Sequence, residues 1–108
     1  MQVRVYTNVP AALGADFLKE KKDLVLLDVR QPEEYEAGHI PGAVLIPLGE
    51  LESRIDELDK EKEYLVICRS GRRSVMACHL LNERGFDKLF NLQGGMLEWT
   101  AEVTRSQR

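Results

Sequence analysis

Apolar residues along this chain occur in short continuous runs, separated by amphipathic or polar stretches. Three of these runs predict strands: Leu24–Val29, Ala43–Pro47 and Tyr64–Cys68. A continuous apolar run is typical of a strand that is buried on both faces, as strands of parallel sheets are. Two weaker runs, Val3–Tyr6 and Lys88–Asn91, are candidates for further strands.

Helical patterns fill the stretches between the runs. Asn8 is positioned to cap a helix that carries Pro10 in its first turn and extends to about Lys21. A second, short helix is predicted over Pro32–Ala37, where Gly38 ends it.

Two further stretches show the apolar spacing of amphipathic helices. The first is Leu48–Leu58, whose leucine and isoleucine side chains recur three and four residues apart. The second starts near Ser74, and its apolar stripe includes Cys78 and ends at Gly85. Because predicted strands and helices alternate, the pattern indicates an α/β fold in which helices cover a parallel sheet.

Composition adds few constraints beyond the class of protein. The chain has 108 residues, of which 44% are hydrophobic and 31% charged, and we expect one globular domain over residues 1–100 with a fraying polar tail over 101–108. The net charge of −3 argues against nucleic acid as a partner. The N-terminus lacks the apolar segment of a signal peptide, and no apolar run approaches the ~20 residues that span a bilayer. We therefore expect a cytoplasmic protein that binds no membrane.

The two cysteines, Cys68 and Cys78, have nine residues between them. This spacing is neither that of a Cys-x-x-Cys redox pair nor that of a zinc site. A disulfide between a strand end and the inside of the next helix would require the backbone to move. We therefore predict two free thiols and neither a metal nor a cofactor.

One seven-residue segment concentrates the candidate chemistry. Cys68 ends the third predicted strand, and ligands of open parallel sheets bind beyond the carboxyl ends of the strands. A tight loop that enters a helix directs backbone N–H groups inward, and Gly71 permits the turn that this requires. These N–H groups and the neighbouring guanidinium groups are expected to lower the pKa of the thiol and favour the nucleophilic thiolate. The predicted site comprises Cys68, Arg69, Ser70, Gly71, Arg72, Arg73 and Ser74.

Three stretches of the chain resemble the rhodanese superfamily of sulfurtransferases, in particular its single-domain members. Residues 26–47, LLDVRQPEEYEAGHIPGAVLIP, are similar to the family's Asp-x-Arg strand end and its Gly-His-Ile-Pro-Gly-Ala signature. Residues 68–74, CRSGRRS, resemble the active-site loop, and residues 91–99, NLQGGMLEW, resemble the C-terminal Gly-Gly-x-x-x-Trp signature. The resemblance covers the chain from about Val25 to Trp99, and the three stretches occur in the family's order.

The resemblance implies a fold and a reaction. The fold is a five-stranded parallel sheet with helices on both faces. In the reaction, Cys68 takes a sulfane sulfur from a donor, becomes a persulfide and passes the sulfur to a nucleophilic acceptor. Family members with a basic loop tend to prefer thiosulfate, so thiosulfate or a similar donor is expected here. Cyanide is a convenient assay acceptor, whereas a thiol such as thioredoxin or glutathione is expected in a cell.

Three residues outside the loop are expected to support it. Asp28 and Arg30 lie at a strand end and are predicted to form an ion-pair network with Glu34. His39 lies in the Gly-His-Ile-Pro-Gly turn, where it either fixes the backbone by a hydrogen bond or acts as a base near Cys68.

Other functions remain open on the sequence. The related dual-specificity phosphatases carry an arginine six residues after the cysteine, but here that position is Ser74, and Arg73 is one residue short. A cysteine hydrolase would need His39 or His79 as its base, because the chain has no other histidine. The principal alternative is a sulfur-relay module that delivers persulfide sulfur to a partner protein. A noncatalytic interaction module usually lacks the loop cysteine, which this chain retains.

Overall fold

The computed structural model describes residues 4–105. The protein folds around a sheet of five parallel strands. In the order in which they lie side by side, the strands are β1 (Thr7–Pro10), β5 (Leu89–Gln93), β4 (Glu63–Ile67), β2 (Leu24–Asp28) and β3 (Val44–Leu45). Each neighbouring pair runs parallel. The five-stranded parallel sheet that the resemblance implies is therefore confirmed.

Helical segments connect and follow these strands. The α-helices are α1 (Gly14–Glu20), α2 (Pro32–Ala37), α3 (Leu48–Leu51), α4 (Arg72–Glu83) and α5 (Gly95–Glu98). Short 3-10 turns, Ala11–Leu13 and Ile55–Glu57, precede α1 and follow α3. Within residues 4–105, none of the helices has the length and apolarity that a bilayer crossing requires.

The central strand β4 explains why the core has two halves. Tyr64, Val66 and Cys68 belong to the cluster that α3 and α4 cover, whereas Leu65 and Ile67 belong to the cluster beneath α1 and α5. All five residues are at most 1% exposed. Side chains alternate along a strand, so a continuous apolar run fills both clusters, as the sequence predicts. The helices accordingly lie on both faces of the sheet.

The first strand lies where a helix was predicted. Thr7–Pro10 pairs in parallel with β5, so the helix capped by Asn8 is wrong at its start, and α1 begins only at Gly14. β1 is an edge strand, where a proline is tolerated because its missing N–H interrupts no internal ladder. Of the weaker run Val3–Tyr6, residues 4–6 are not strand and residue 3 lies outside the described residues.

The single helix predicted over Leu48–Leu58 is also wrong. The segment instead consists of α3, a turn and the 3-10 turn Ile55–Glu57. Ser53 Oγ donates to the Glu50 carbonyl at 3.0 Å, a local bond that competes with helical continuation. Leu48, Ile55 and Leu58 still pack against the α4 side of the core, as their spacing predicts.

The chain beyond residue 100 remains in contact with the domain. The N–H groups of Thr104 and His39 each donate to the other residue's carbonyl at 2.8 Å. Trp99 Nε1 donates to the Glu102 carbonyl at 3.0 Å. Hydrogen bonds therefore cross the predicted boundary between domain and tail, and residues 106–108 lie outside the described part of the chain.

Candidate active site

The predicted loop joins β4 to α4 at the carboxyl end of the central strand. β4 ends at Ile67, Cys68 follows it, and α4 begins at Arg72. Gly71, the residue before α4, has a φ of 101°, in the left-handed region that favours glycine. This turn folds the loop back over the cysteine side chain.

The sulfur of Cys68 lies inside the loop and forms two hydrogen bonds there. The Gly71 N–H donates to Sγ at 3.0 Å, Ser74 Oγ lies 3.3 Å from Sγ, and the residue has no solvent exposure. Burial raises the pKa of the Cys68 thiol. The hydrogen bond with the Ser74 hydroxyl and those from the N–H groups of Ser74, Gly71 and Ser70 together lower it by more, so the pKa lies below its ordinary value. The site therefore favours a thiolate.

Helix α5 supports the loop from the end of β5. The Met96 N–H donates to the Cys68 carbonyl and the Leu97 N–H donates to the Arg69 carbonyl, both at 2.9 Å. These N–H groups lie in the first turn of α5, where no helical carbonyl is available to them. Gly95 permits this approach, because a Cβ atom there would lie 2.6 Å from the Cys68 carbonyl oxygen.

The three loop arginines have different surroundings. Arg73 donates from its two terminal nitrogens to the two carboxylate oxygens of Glu34, at 2.7 and 2.9 Å. Arg69 and Arg72 are exposed, and neither forms an ion pair within the described residues. Arg73 was predicted to attract a donor together with the other two, but this geometry holds it against α2 instead. Two of the three arginines therefore remain available to an anion.

The Glu34–Arg73 pair predicts a pH dependence of stability. The hydrogen bond from Arg73 lowers the pKa of Glu34 from 4.5 to about 2. Because the folded pKa is the lower one, the pair stabilises the fold fully above pH 4.5, and this stabilisation disappears as the pH falls toward 2. We expect Glu34→Gln to lower the free energy of unfolding by about 1 kcal/mol at pH 7.

Chemical denaturation of Glu34→Gln and of the unchanged protein between pH 7 and pH 3 measures this difference. The difference should shrink steadily below pH 4.5. Glu33→Gln is the matched control, because Glu33 is an exposed carboxylate of the same helix with no ion pair in the described chain. A difference that does not vary with pH would show that the ion pair does not stabilise the fold.

The predicted ion pair between Asp28 and Arg30 is present and buried. Arg30 Nη2 lies 2.8 Å from Asp28 Oδ2, and it also donates to the Gly38 carbonyl at 2.9 Å. The expected third member, Glu34, is paired with Arg73, although the charge of Arg30 also contributes to its lowered pKa. The Asp28–Arg30 pair thus joins the end of β2 to the end of α2, beside the loop.

His39 lies in a well-packed turn. Its Nδ1 is 2.7 Å from the Tyr35 carbonyl oxygen, and its ring stacks on the Tyr35 ring with 3.6 Å between centroids. Its backbone pairs with Thr104. These contacts suit the interpretation that His39 fixes the turn, and none of them involves Cys68.

A chain of polar side chains behind the loop was missed by sequence reasoning. Ser74 Oγ is hydrogen-bonded to Asn91 Oδ1, and Asn91 Nδ2 donates to Asn8 Oδ1 at 3.0 Å. Asn91 lies in the middle of β5 and is only 3% exposed. An amide inside an otherwise apolar strand was the available signal, because a buried amide needs hydrogen-bond partners.

Both thiols are free, as predicted. Cys78 is buried in the stripe of α4, and burial raises the pKa of its thiol to about 12. At neutral pH this residue is therefore a neutral member of the core, whereas Cys68 is poised to ionise.

Comparisons with known proteins show the family of this chain. Residues 14–102 match the rhodanese-like domain family. The chain is 47% identical over 95 residues to YrkF of Bacillus subtilis (strain 168), which carries a provisional name as a sulfur carrier protein. That match covers 84% of this chain and 51% of YrkF, so the chain spans about half the length of this relative. It is also 37% identical over 84 residues to the thiosulfate sulfurtransferase GlpE of Coxiella burnetii (strain RSA 331 / Henzerling II), covering 78% of each.

A solved structure shows the same architecture. The crystal structure of a rhodanese-like domain protein from Staphylococcus aureus superposes with a TM-score of 0.85 and 29% identity, over 94% of this chain and 99% of that one. Fold, family match and relatives thus agree over most of the chain. The chain belongs to the rhodanese-like family of sulfurtransferases and sulfur carriers.

Proposed function

We propose that the protein transfers sulfane sulfur from thiosulfate, or from a similar donor, to a thiol through a persulfide on Cys68. The observation that carries this proposal is the position of the fully buried sulfur inside the loop, where it accepts a hydrogen bond from the Gly71 N–H and its pKa lies below its ordinary value. A structural cysteine with the same burial would have a raised pKa, as Cys78 has.

The reaction consists of two displacements at sulfur. The Cys68 thiolate attacks the outer sulfur of thiosulfate, a new S–S bond forms, and sulfite leaves with the electron pair of the old bond. An acceptor thiolate or cyanide then attacks the outer sulfur of the persulfide, and Cys68 leaves as the thiolate. No proton transfer is needed in either step when Cys68 is ionised, and ping-pong kinetics follow from the covalent intermediate.

The exposed arginines supply the attraction for the donor. Arg69 and Arg72 lie on either side of Gly71 and have no ion-pair partner among residues 4–105, and guanidinium groups bind oxyanions strongly. They also stabilise the departing sulfite, which carries the same charge as the thiosulfate that entered. The relative named as a thiosulfate sulfurtransferase, GlpE of Coxiella burnetii, supports thiosulfate as the donor.

A protein-directed sulfur carrier is the second candidate. The provisional name of YrkF as a sulfur carrier supports it, at 47% identity. Both candidates use the same persulfide and differ in whether a small molecule or a partner protein supplies and receives the sulfur. A phosphatase is disfavoured, because the arginine nearest to the position that this reaction needs, Arg73, is paired with Glu34.

Intact mass spectrometry tests the proposal. After incubation with thiosulfate, the protein should gain the mass of one sulfur atom, and a reductant should remove it. Peptide mapping should place the sulfur on Cys68 and leave Cys78 unmodified, because the two thiols have oppositely shifted pKa values. Added sulfur on Cys78, or no added mass, would contradict the proposal. Slow turnover with thiosulfate together with rapid loading by a sulfur-donating protein would favour the carrier.

Steady-state kinetics test the role of the arginines. Arg69→Ala and Arg72→Ala should each raise the KM for thiosulfate roughly fivefold to tenfold with a smaller change in kcat, since each removes one charge-assisted contact. Arg84→Ala is the control, because it removes the same charge at the end of α4, where Arg84 pairs with Glu52. Equal KM values in all three variants would exclude a donor-binding role for the exposed loop arginines.

A further inference from the structure

The hydroxyl of Ser74 has one proton and two neighbours that compete for it. Cys68 Sγ lies 3.3 Å from Ser74 Oγ, and Asn91 Oδ1 is also within hydrogen-bond distance. A serine hydroxyl donates a single hydrogen bond. In the observed arrangement it donates to Asn91 and accepts from Cys68, which is the arrangement that a neutral thiol requires.

Ionisation of Cys68 removes the proton that Ser74 accepts. A thiolate instead needs Ser74 to donate to Sγ, and this donation is the largest of the interactions that lower the Cys68 pKa. Ser74 Oγ would then direct only lone pairs toward Asn91 Oδ1, and two acceptors in contact repel each other. Since Asn91 is only 3% exposed, water has little access to these two oxygens and does not supply the missing hydrogen bond.

A half-turn of the Asn91 side-chain amide removes the repulsion between Ser74 Oγ and Asn91 Oδ1. An asparagine side chain presents an oxygen and an NH₂ group of nearly the same shape, so the half-turn needs no extra space. Asn91 Nδ2 then donates to Ser74 Oγ, and Oδ1 faces Asn8. Asn8 is the register partner of Asn91 between β1 and β5, and it is exposed on an edge strand, so its own amide is free to turn.

We propose that Asn91 and Asn8 are positioning residues whose side-chain amides turn together and so allow Ser74 to donate its proton to the reactive sulfur. With the thiolate, hydrogen bonds run from Asn8 to Asn91, from Asn91 to Ser74 and from Ser74 to Cys68. With the thiol, all three run in the opposite direction, as observed. The inference rests on the proposed function, in which Cys68 acts as a thiolate, and it adds two residues from strands β1 and β5 to that site.

The titratable groups that interact electrostatically with Cys68 or with its neighbour Arg73 lie on other elements than β1 and β5. Arg73 and Cys78, both on α4, interact with the charge of Cys68, and Asp28 interacts with Arg73. The side chains that approach from β5 and β1, Asn91 and Asn8, are neutral amides. A change at Asn8 therefore alters the direction of the hydrogen bonds while leaving the charged neighbours of Cys68 in place.

Asn8→Asp provides the test. A carboxylate at position 8 accepts hydrogen bonds only, so it holds Asn91 Nδ2 toward itself and Asn91 Oδ1 toward Ser74. Ser74 is then unable to donate to Cys68, and the ratio of thiolate to thiol at a fixed pH should fall about tenfold, as for one charge-assisted hydrogen bond. The ultraviolet absorbance of the thiolate, titrated against pH with Cys68→Ser as the blank, measures this ratio. Position 8 is exposed, so we expect the variant to fold.

Two controls separate hydrogen-bond direction from other effects. Thr7→Asp places the same charge on the adjacent exposed residue of β1, whose side chain points to the other face of the strand. Asn8→Ala removes the partner without dictating the orientation of Asn91. Both controls should titrate within about twofold of the unchanged protein, and the effect of Asn8→Asp should persist in high salt, where charge effects between exposed groups are screened. The proposal is overturned if Asn8→Asp titrates like Thr7→Asp, or if Asn8→Ala shifts the titration as far as Asn8→Asp.

The outcome is independent of the test of the proposed function. Persulfide formation from thiosulfate, measured by intact mass, reports whether Cys68 carries sulfur. The thiolate titration reports how its ionisation is controlled. Sulfur loading with an unshifted titration in Asn8→Asp would overturn only the role of the asparagines, whereas absent loading in the unchanged protein would overturn the proposed function.

Discussion

Replacing Cys68 with serine is expected to lower the turnover of thiosulfate by more than about a thousandfold, because the variant loses the nucleophile itself. Four hydrogen bonds lower the pKa of the Cys68 thiol below its ordinary value, but the same bonds do not ionise a serine hydroxyl, which is a far weaker acid. The measurement is the rate of thiocyanate formation from thiosulfate and cyanide. Retained turnover in this variant would show that sulfur does not pass through Cys68.

Cys78→Ala is the matched control for that experiment. Cys78 is equally buried, but burial raises the pKa of its thiol to about 12, so it is not a nucleophile at neutral pH. We expect this variant to lose some stability through the small cavity in the core and to keep its turnover per folded molecule. A loss of turnover as large as that of Cys68→Ser would instead indicate that both thiols take part in the reaction.

Replacing Gly95 with alanine is expected to disrupt the cysteine loop, although Gly95 lies in α5 and outside the loop. The new Cβ atom would overlap the Arg69 carbonyl group and lie 2.6 Å from the Cys68 carbonyl oxygen, while φ is +61°. These backbone atoms cannot give way without moving the loop, so two hydrogen bonds from α5 should be lost. We expect the free energy of unfolding to fall by about 2–4 kcal/mol and persulfide formation to slow about 100-fold.

Gly42→Ala distinguishes the two causes of the expected loss in Gly95→Ala, which are the positive φ and the overlap of the new Cβ atom with the loop backbone. Gly42 has a φ of +89°, but a Cβ atom there would have no neighbour within 4 Å. This variant therefore contains the backbone strain without the overlap, and we expect a loss of only about 1 kcal/mol and unchanged persulfide formation. Chemical denaturation and intact mass measure both quantities for both variants. If Gly95→Ala behaves like Gly42→Ala, the close approach of α5 does not support the loop.

The sequence predicted the strands and helices whose own residues form a clear apolar run or a clear helix end. The continuous run Tyr64–Cys68 is buried on both faces, and Pro32–Ala37 forms a helix that ends at Gly38. β1 was missed because only Val9 in that strand is buried, which leaves neither a run nor an alternation to read. Its place in the sheet depends on pairing with β5, about 80 residues later in the chain.

The sequence predicted which residues form the loop, but not which of its arginines are paired and which are exposed. Three arginines beside a cysteine indicate an anion and a thiolate, whichever arginine meets the ligand. The structure assigns Arg73 to Glu34, which lies 39 residues earlier, and leaves Arg69 and Arg72 exposed. Sequence spacing does not reveal such partners, because an ion pair forms between side chains that the fold brings together.

The order of residues along this chain was enough to identify a parallel α/β domain and to predict a reactive cysteine at a strand end, since apolar runs, glycine positions and loop charges act through near neighbours. The hydrogen bonds around the sulfur depend on contacts between distant segments. Asn91 is hydrogen-bonded to Ser74, 17 positions earlier, and to Asn8, 83 positions earlier. The Met96 N–H, in α5, donates to the Cys68 carbonyl. These contacts exist only because the five strands pack side by side and bring distant segments together.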